Sequence, residues 1–312
     1  MNCSFEQSSQ VAIQSKHKAM GGEFVLLAYP QKYLSKADVF DLFKLAFNEV
    51  DRIESKFTDF KDSPFNQIND FAPKAPYAVD DEVFKLLESA QDYSKLTDGR
   101  FDISFASLVH RQREATHNKS PLSQKATDYY RSVINYKDIE LDRKTSSVHF
   151  LNKDIRIGFG GIAKGYAVDR AFELLKEAGL VNFSVNGSGD LRVHSSDDAP
   201  RPWRLGIRNP FAKDPTAAAG IVQLANGALV TSGTYVNGAH IINKNQSPTQ
   251  DLVSLTLIED TAMSADILAT ALMNMDLNNA ISFLDARKSI GIAIDKNGKT
   301  HLSQAAIAHF GL

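Results

Sequence analysis

Gly158-Phe159-Gly160-Gly161-Ile162-Ala163-Lys164-Gly165-Tyr166 is the stretch on which the reading of the fold turns. Upstream, Arg131 to Phe159 alternates apolar and polar residues in the strand manner, with a turn at Asp142 to Thr145. Downstream, Ile162 to Ala178 reads as a helix closed by Gly179. A strand therefore ends in glycines and passes at once into a helix. Glycines let the backbone approach a ligand, and free N–H groups at a helix start attract phosphate. Lys164 adds a cation at the same place. The spacing is neither that of the P-loop, G-x-x-x-x-G-K-[ST], nor G-x-G-x-x-G. By itself the run is equally a plain strand-to-helix turn.

Outward from it, Val11 to Ile13 and Phe24 to Tyr29 read as short strands around a Met20-Gly21-Gly22 turn. Ala37 to Phe57 has apolar residues at helical spacing, and Asp80 to Leu96 forms a helix between an Asp80 cap and Thr97-Asp98-Gly99. His110 to Lys125, the densest basic stretch, reads as a solvated loop. Strands follow at Phe183–Val193, Trp203–Arg208, Gly220–Leu224, Leu229–Thr231 and Leu252–Ile258. Helices at Thr261–Met275 and Leu277–Ala286 come next, and Ile290–Asp295 is expected to end the β content before Asn297-Gly298. Helices and strands mix without regular alternation. The expected class is α+β, with mixed or antiparallel sheets packed against helices. Residues 1–10 read as a flexible tail and 11–312 as a single domain, with no internal repeat.

Of 312 residues, 43% are hydrophobic and 23% charged, enough for an ordinary core. The net charge of −2 offers no basic field to nucleic acid or an anionic membrane. Cys3 is the single cysteine, so no intramolecular disulfide forms. As a lipid site it would need an apolar leader, and only Met1 and Asn2 precede it. No apolar run reaches roughly 18 residues, so no transmembrane helix is expected. The chain as written reads as cytoplasmic, or periplasmic if a leader was removed before the first residue.

Other segments carry chemistry. In Ser264-Ala265-Asp266-Ile267-Leu268-Ala269-Thr270-Ala271, Asp266 and Thr270 lie on one face of an otherwise apolar helix. A carboxylate and a hydroxyl so placed suit Mg²⁺, with phosphates completing its shell. They are also what a helix start and a back-bonded threonine would show. Thr231-Ser232-Gly233-Thr234-Tyr235 is a hydroxyl-rich turn with His240 shortly after it, a residue type suited to general-base work. Phe101-Asp102-Ile103-Ser104 and Asn186-Gly187-Ser188-Gly189-Asp190 are weaker signals, each readable as a plain turn.

In this order, these segments resemble the ApbE family, the FAD:protein FMN transferases. The resemblance runs from about Lys16 to about Leu284 and rests on Met20-Gly21, Phe101–Ser104, Gly160–Asp169, Thr231–Tyr235, His240-Ile241-Ile242 and Ala265–Ala271. It implies an α+β fold and transfer of FMN from FAD to a Ser or Thr hydroxyl of an acceptor protein, with a phosphoester formed and AMP released. It also implies Mg²⁺ at the FAD pyrophosphate, held by the main-chain oxygen of Ala163 with Asp266 and Thr270. Lys164 and the helix start at Gly161 would face the phosphates, and Asp169 the adenosine. Met20, Asp102, Ser232, Gly233 and Thr234 would line the flavin pocket. His240 stands where the family places a candidate base, with Asp266 as rival. Alternatives are a Mg²⁺-dependent FAD pyrophosphatase and a non-catalytic FAD-binding protein. The family's Asp-Pro-x-Thr-Gly turn is replaced by Asn243 to Pro248, its double glycine before Asp by Gly187-Ser188-Gly189-Asp190, and its Ser-x-Tyr by Thr58-Asp59-Phe60. No acceptor motif stands in the chain, so self-flavinylation is not expected.

Overall fold

A computed structural model describes residues 11–198, 200–214, 217–233 and 251–312. It begins with a hairpin of β1 (Ile13–Ala19) and β2 (Gly22–Ala28), whose two turn residues, Met20 (φ 52°) and Gly21 (φ 74°), are both left-handed. That geometry matches the twist of paired strands. The first strand thus runs along Ile13–Ala19, not Val11–Ile13, because the ladder to β2 extends right up to the turn.

The hairpin forms one edge of an eight-stranded sheet that also holds β6 (Phe183–Gly187), β7 (Asp190–His194), β10 (Gly227–Gly233), β11 (Leu252–Glu259), β12 (Ile290–Asp295) and β13 (Thr300–Leu302). The spatial order is β1-β2-β6-β7-β10-β11-β12-β13, and every pair is antiparallel. Helices α1 (Lys36–Phe57), α6 (Ala163–Glu177) and α7 (Ala262–Leu272) pack on one face, burying Phe43, Val50, Val168, Leu175, Ile267 and Leu268 with Leu26, Val185 and Leu255 of the sheet. Ser35 caps α1 with a reciprocal bond to Asp38, which sets where that helix starts. On the sheet's other face, Trp203, Leu205 and Ile207 of β8 (Trp203–Arg208) and Val222 and Leu224 of β9 (Ala218–Leu224) cover Val193, Leu229, Ile258 and Ile292.

Between α1 and α6 the chain builds α2 (Pro64–Phe71), β3 (Tyr77–Ala78), α3 (Asp81–Leu96), a 3₁₀ turn at Ile103–Phe105, α4 (Ala106–His117), α5 (Gln124–Val133), β4 (Ile139–Asp142) and β5 (Ser147–Phe150). The last three strands form a sheet of order β3-β5-β4, and α8 (Leu277–Arg287) and α9 (Gln304–Phe310) complete the described elements. No helix among the described residues is long and apolar enough to cross a membrane.

Three expectations need correction. The strand pattern over Arg131–Phe159 is real only for β4 and β5, which flank the expected turn; Arg131 to Val133 closes α5 instead. Residues Ile155 to Phe159 alternate without joining a ladder, because the Asn69 side chain takes the place of a strand partner. Its amide donates to the Ile157 carbonyl (3.0 Å) and accepts from the Ile157 N–H (2.7 Å). His110 to His117 is not loop but most of α4, whose polar surface is laced by Arg111–Glu114 and His110–Glu114 pairs at helical spacing. The β content also continues past Asn297-Gly298, which turn β12 back into β13 around the Asp295 side chain.

Candidate functional site

The glycine run brings two helix starts together. A Cβ on Gly165 would lie 2.6 Å from the Ala262 carbonyl oxygen and 2.7 Å from the Met263 Cα, so only glycine lets the first turns of α6 and α7 touch. One turn earlier, Gly161 backs onto α7, where a Cβ would meet the Thr270 hydroxyl at 3.4 Å and the Phe101 ring at 3.3 Å. Ile162, which leads into α6, gives no side-chain cap to the helix start. Lys164 on α6 thereby lies close enough to α7 to feel the Asp266 charge, and Gly161 lies beside Thr270.

A third element enters from the sheet. Asn186 and the left-handed Ser188 and Gly189 turn β6 into β7, and Asp190, the first residue of β7, points under the helix starts. Its Oδ1 lies 3.1 Å from the Lys164 ammonium. Asp190 is 1% exposed and Asp266 6%, and the Oδ2 atom of each is buried without a hydrogen-bond partner. Burial and the nearby Asp266 charge push the Asp190 carboxyl well above the usual carboxylate range, helped by a hydrogen bond with the Asp266 carboxyl and opposed by Lys164. Burial also raises Asp266, opposed by the Lys164 ammonium, the Gly165 N–H and the hydrogen bond with Asp190. Burial draws Lys164 down, but the charges of Asp190 and Asp266 outweigh it and hold the ammonium above its ordinary range.

Asp169 and Asp102 are each tied to the chain by several hydrogen bonds. Asp169 Oδ1 accepts from the Ala262 N–H (2.9 Å) and Arg192 (3.0 Å), and Oδ2 from the Met263 N–H (2.8 Å). Asp102 Oδ1 accepts from the Ser104 N–H and hydroxyl, and Oδ2 from the Tyr136 N–H.

Met20 and the end of β10 lie at the same end of the sheet. Val230 pairs with Asp190, so Thr231 to Gly233 extend past the start of β7, with Ser232 and Gly233 beside it. The Ser188 hydroxyl, which accepts from the Glu23 N–H, occupies the space beside Gly22 and seats the Met20–Gly21 turn against the β6–β7 turn. Thr234 and His240 lie outside the described residues. A cleft of about 740 Å³ between α3 and β4, lined by Gln91, Lys95, Ile139 and His149 among others, includes none of the expected site residues.

The donor set suits a hard cation. Among the described residues no group of three His, Cys, Asp or Glu side chains could hold a metal. What is present is an unpartnered buried carboxyl oxygen on each of Asp266 and Asp190, the Thr270 hydroxyl one turn along α7 from Asp266 and main-chain carbonyls, all oxygen donors. That is a partial shell for Mg²⁺, which keeps places for phosphate oxygens.

Asp190, readable from the sequence as the end of a plain glycine-rich turn, pairs with Lys164 in the structure. Its signal is Asp190-Leu191-Arg192 at the start of a strand, with two opposite charges on one face. Arg192 binds Asp169 and Glu173 (2.8 Å) on the helix that also carries Lys164.

The fold and site define an α+β protein with an anion-receptive helix start facing an oxygen-donor pair. Comparison with known proteins gives the class a name. Residues 20–294 match the ApbE family. An FAD:protein FMN transferase of Klebsiella pneumoniae (strain 342) is 27% identical over 297 residues, covering 91% of this chain and 89% of that protein. One from Vibrio cholerae serotype O1 is 26% identical over 290 residues, covering 86% and 84%. The crystal structure of the ApbE protein of Thermotoga maritima superposes with a TM-score of 0.83 at 25% identity, covering 96% of this chain and 99% of that one. The chain belongs to the ApbE family.

Proposed function

We propose that this protein is a Mg²⁺-dependent FAD:protein FMN transferase. The supporting observation is the buried, unpartnered Oδ2 of Asp266 beside Lys164 and the uncapped start of α6. A Mg²⁺ ion held by Asp266, the Thr270 hydroxyl and the Ala163 carbonyl would draw charge from the FAD pyrophosphate. Lys164 and the Gly161 N–H would hold the phosphate oxygens where negative charge develops, the Ile162 and Ala163 N–H groups both donating to the Phe159 carbonyl. Met20, Ser232, Gly233 and Thr234 would flank the flavin half. Asp169 would face the adenosine half and Asp102 the flavin half, each held in place by its hydrogen bonds to the chain. His240 would take the proton of the attacking hydroxyl.

In the reaction, a Ser or Thr oxygen of an acceptor protein attacks the phosphorus on the FMN side. The bond to the AMP phosphate breaks, and FMN stays on the acceptor as a phosphoester. Water in place of the acceptor would give FMN and AMP. The test is mass spectrometry of an acceptor protein after incubation with enzyme, FAD and Mg²⁺. A mass gain of one FMN residue with equal release of AMP is expected. Conversion of FAD to free FMN and AMP with an unmodified acceptor would replace the reading with a hydrolase.

A further inference from the structure

Lys164 faces two carboxylates and pairs with only one. Its ion pair is with Asp190 at 3.1 Å, and Asp266 keeps a buried oxygen with no partner. A carboxylate as deeply buried as Asp190 is costly, and replacing a buried charge pair by apolar residues is often neutral or stabilising. Packing alone therefore gives no reason for it. Its location gives one. Asp190 starts β7, Lys164 sits in the first turn of α6 and Asp266 in α7. The pair with β7 engages an ammonium that is close enough to α7 to feel the Asp266 charge.

We propose that Asp190 is a positioning residue that holds Lys164 off Asp266, so that the metal-facing oxygen of Asp266 stays open. The proposal rests on the reading of Asp266 as a cation ligand and deepens it. Without Asp190, the ammonium turns to the nearest remaining carboxylate and fills the cation's place.

Mg²⁺ binding measured by calorimetry on the purified protein without FAD tests this, with melting temperatures recorded alongside. Asp190→Asn should bind Mg²⁺ on the order of tenfold or more weakly, from the intruding ammonium. Lys164→Met should bind at least as tightly as wild type. The double variant should return to within about threefold of wild type, because the obstructing ammonium is gone with Lys164. A structural role for Asp190 predicts that the double variant stays as weak as the single, and that result, or unaltered binding in Asp190→Asn, overturns the proposal. The double variant decides the matter even where Asp190→Asn alone does not fold, since it leaves no buried ammonium unpaired. Wild type indistinguishable from Asp266→Ala would overturn the metal reading itself, and this inference with it.

Discussion

Asp169 on α6 caps a helix to which it does not belong: its Oδ2 accepts the backbone N–H of Met263, in the first turn of α7, at 2.8 Å. Oδ1 takes the neighbouring Ala262 N–H, and Arg192 from β7 steadies the carboxylate. Residues far apart in sequence are thereby kept in register where Lys164 must face Asp266. Asp169→Ala should destabilise the protein by about 3–5 kcal/mol, the cost of removing one partner from a buried charged pair. Urea unfolding measures this. A loss near zero would mean that α7 is held by packing alone.

Gly165→Ala separates contact of the helix starts from their charge. The added Cβ falls on the Ala262 carbonyl and the Met263 Cα, both backbone atoms that cannot swing away. The helices should part, at a cost of about 1–3 kcal/mol typical of overpacking. FAD cleavage should fall more steeply than stability, because Lys164 and Asp266 move apart. An alanine variant with wild-type turnover would show that the close approach does not serve the site.

Asp266→Ala should abolish activity without loss of stability, since it removes a buried carboxylate with an unpartnered oxygen. Thr270→Val, nearly isosteric, should keep the melting temperature and lose turnover at limiting Mg²⁺. Steady-state assays across a Mg²⁺ titration check both. Unchanged Mg²⁺ dependence in either variant counts against its role as a ligand.

Glu82 joins three helices, accepting from Arg52 and Lys56 on α1 and from Tyr166 on α6. The hydrogen bond from Arg52 leads in lowering its pKa from 4.5 to about 2, against the opposing effect of burial. A depressed folded pKa contributes stability that is present above the unfolded value and lost as pH falls through the folded one. The loss therefore spans the window from 4.5 down to about 2. Glu82→Gln should lower stability at neutral pH by about 1–2 kcal/mol, discounted for partial exposure, and flatten that acid limb. Denaturation followed from pH 7 to pH 2 gives the comparison; parallel curves for the two proteins would rule out the linkage.

Much of the fold is legible where burial imposes a period. β8 and β12 match their expected spans, and α6 differs by a residue at each end. α4 escaped because its buried residues, Ala106, Ser107 and Leu108, are confined to the first turn, leaving no apolar stripe along the helix. The Ile155–Phe159 alternation misled because an asparagine side chain, not a strand, satisfies Ile157. In the candidate site, local spacing singles out Lys164, Asp266 and Thr270, whose roles belong to the proposal. Asp190 is legible only as the end of a glycine-rich turn, because its pairing with Lys164 comes from β7 packing beneath α6. The backbone partners of Asp169 on α7 are hidden for the same reason: a carboxylate's partners across the fold are invisible in local sequence.

The central claim is that Lys164, Asp266 and Thr270 form a place for a flavin dinucleotide with its metal. Calorimetry with FAD, FMN, NAD and ATP, each with and without Mg²⁺, tests it most directly. FAD spans both halves of the site and both phosphates, whereas FMN lacks the adenosine half and one phosphate. The account predicts that FAD binds most tightly, that Mg²⁺ strengthens its binding, and that Asp266→Ala removes the Mg²⁺ effect. Equal affinity for FMN and FAD, or a preference for NAD or ATP, would contradict it.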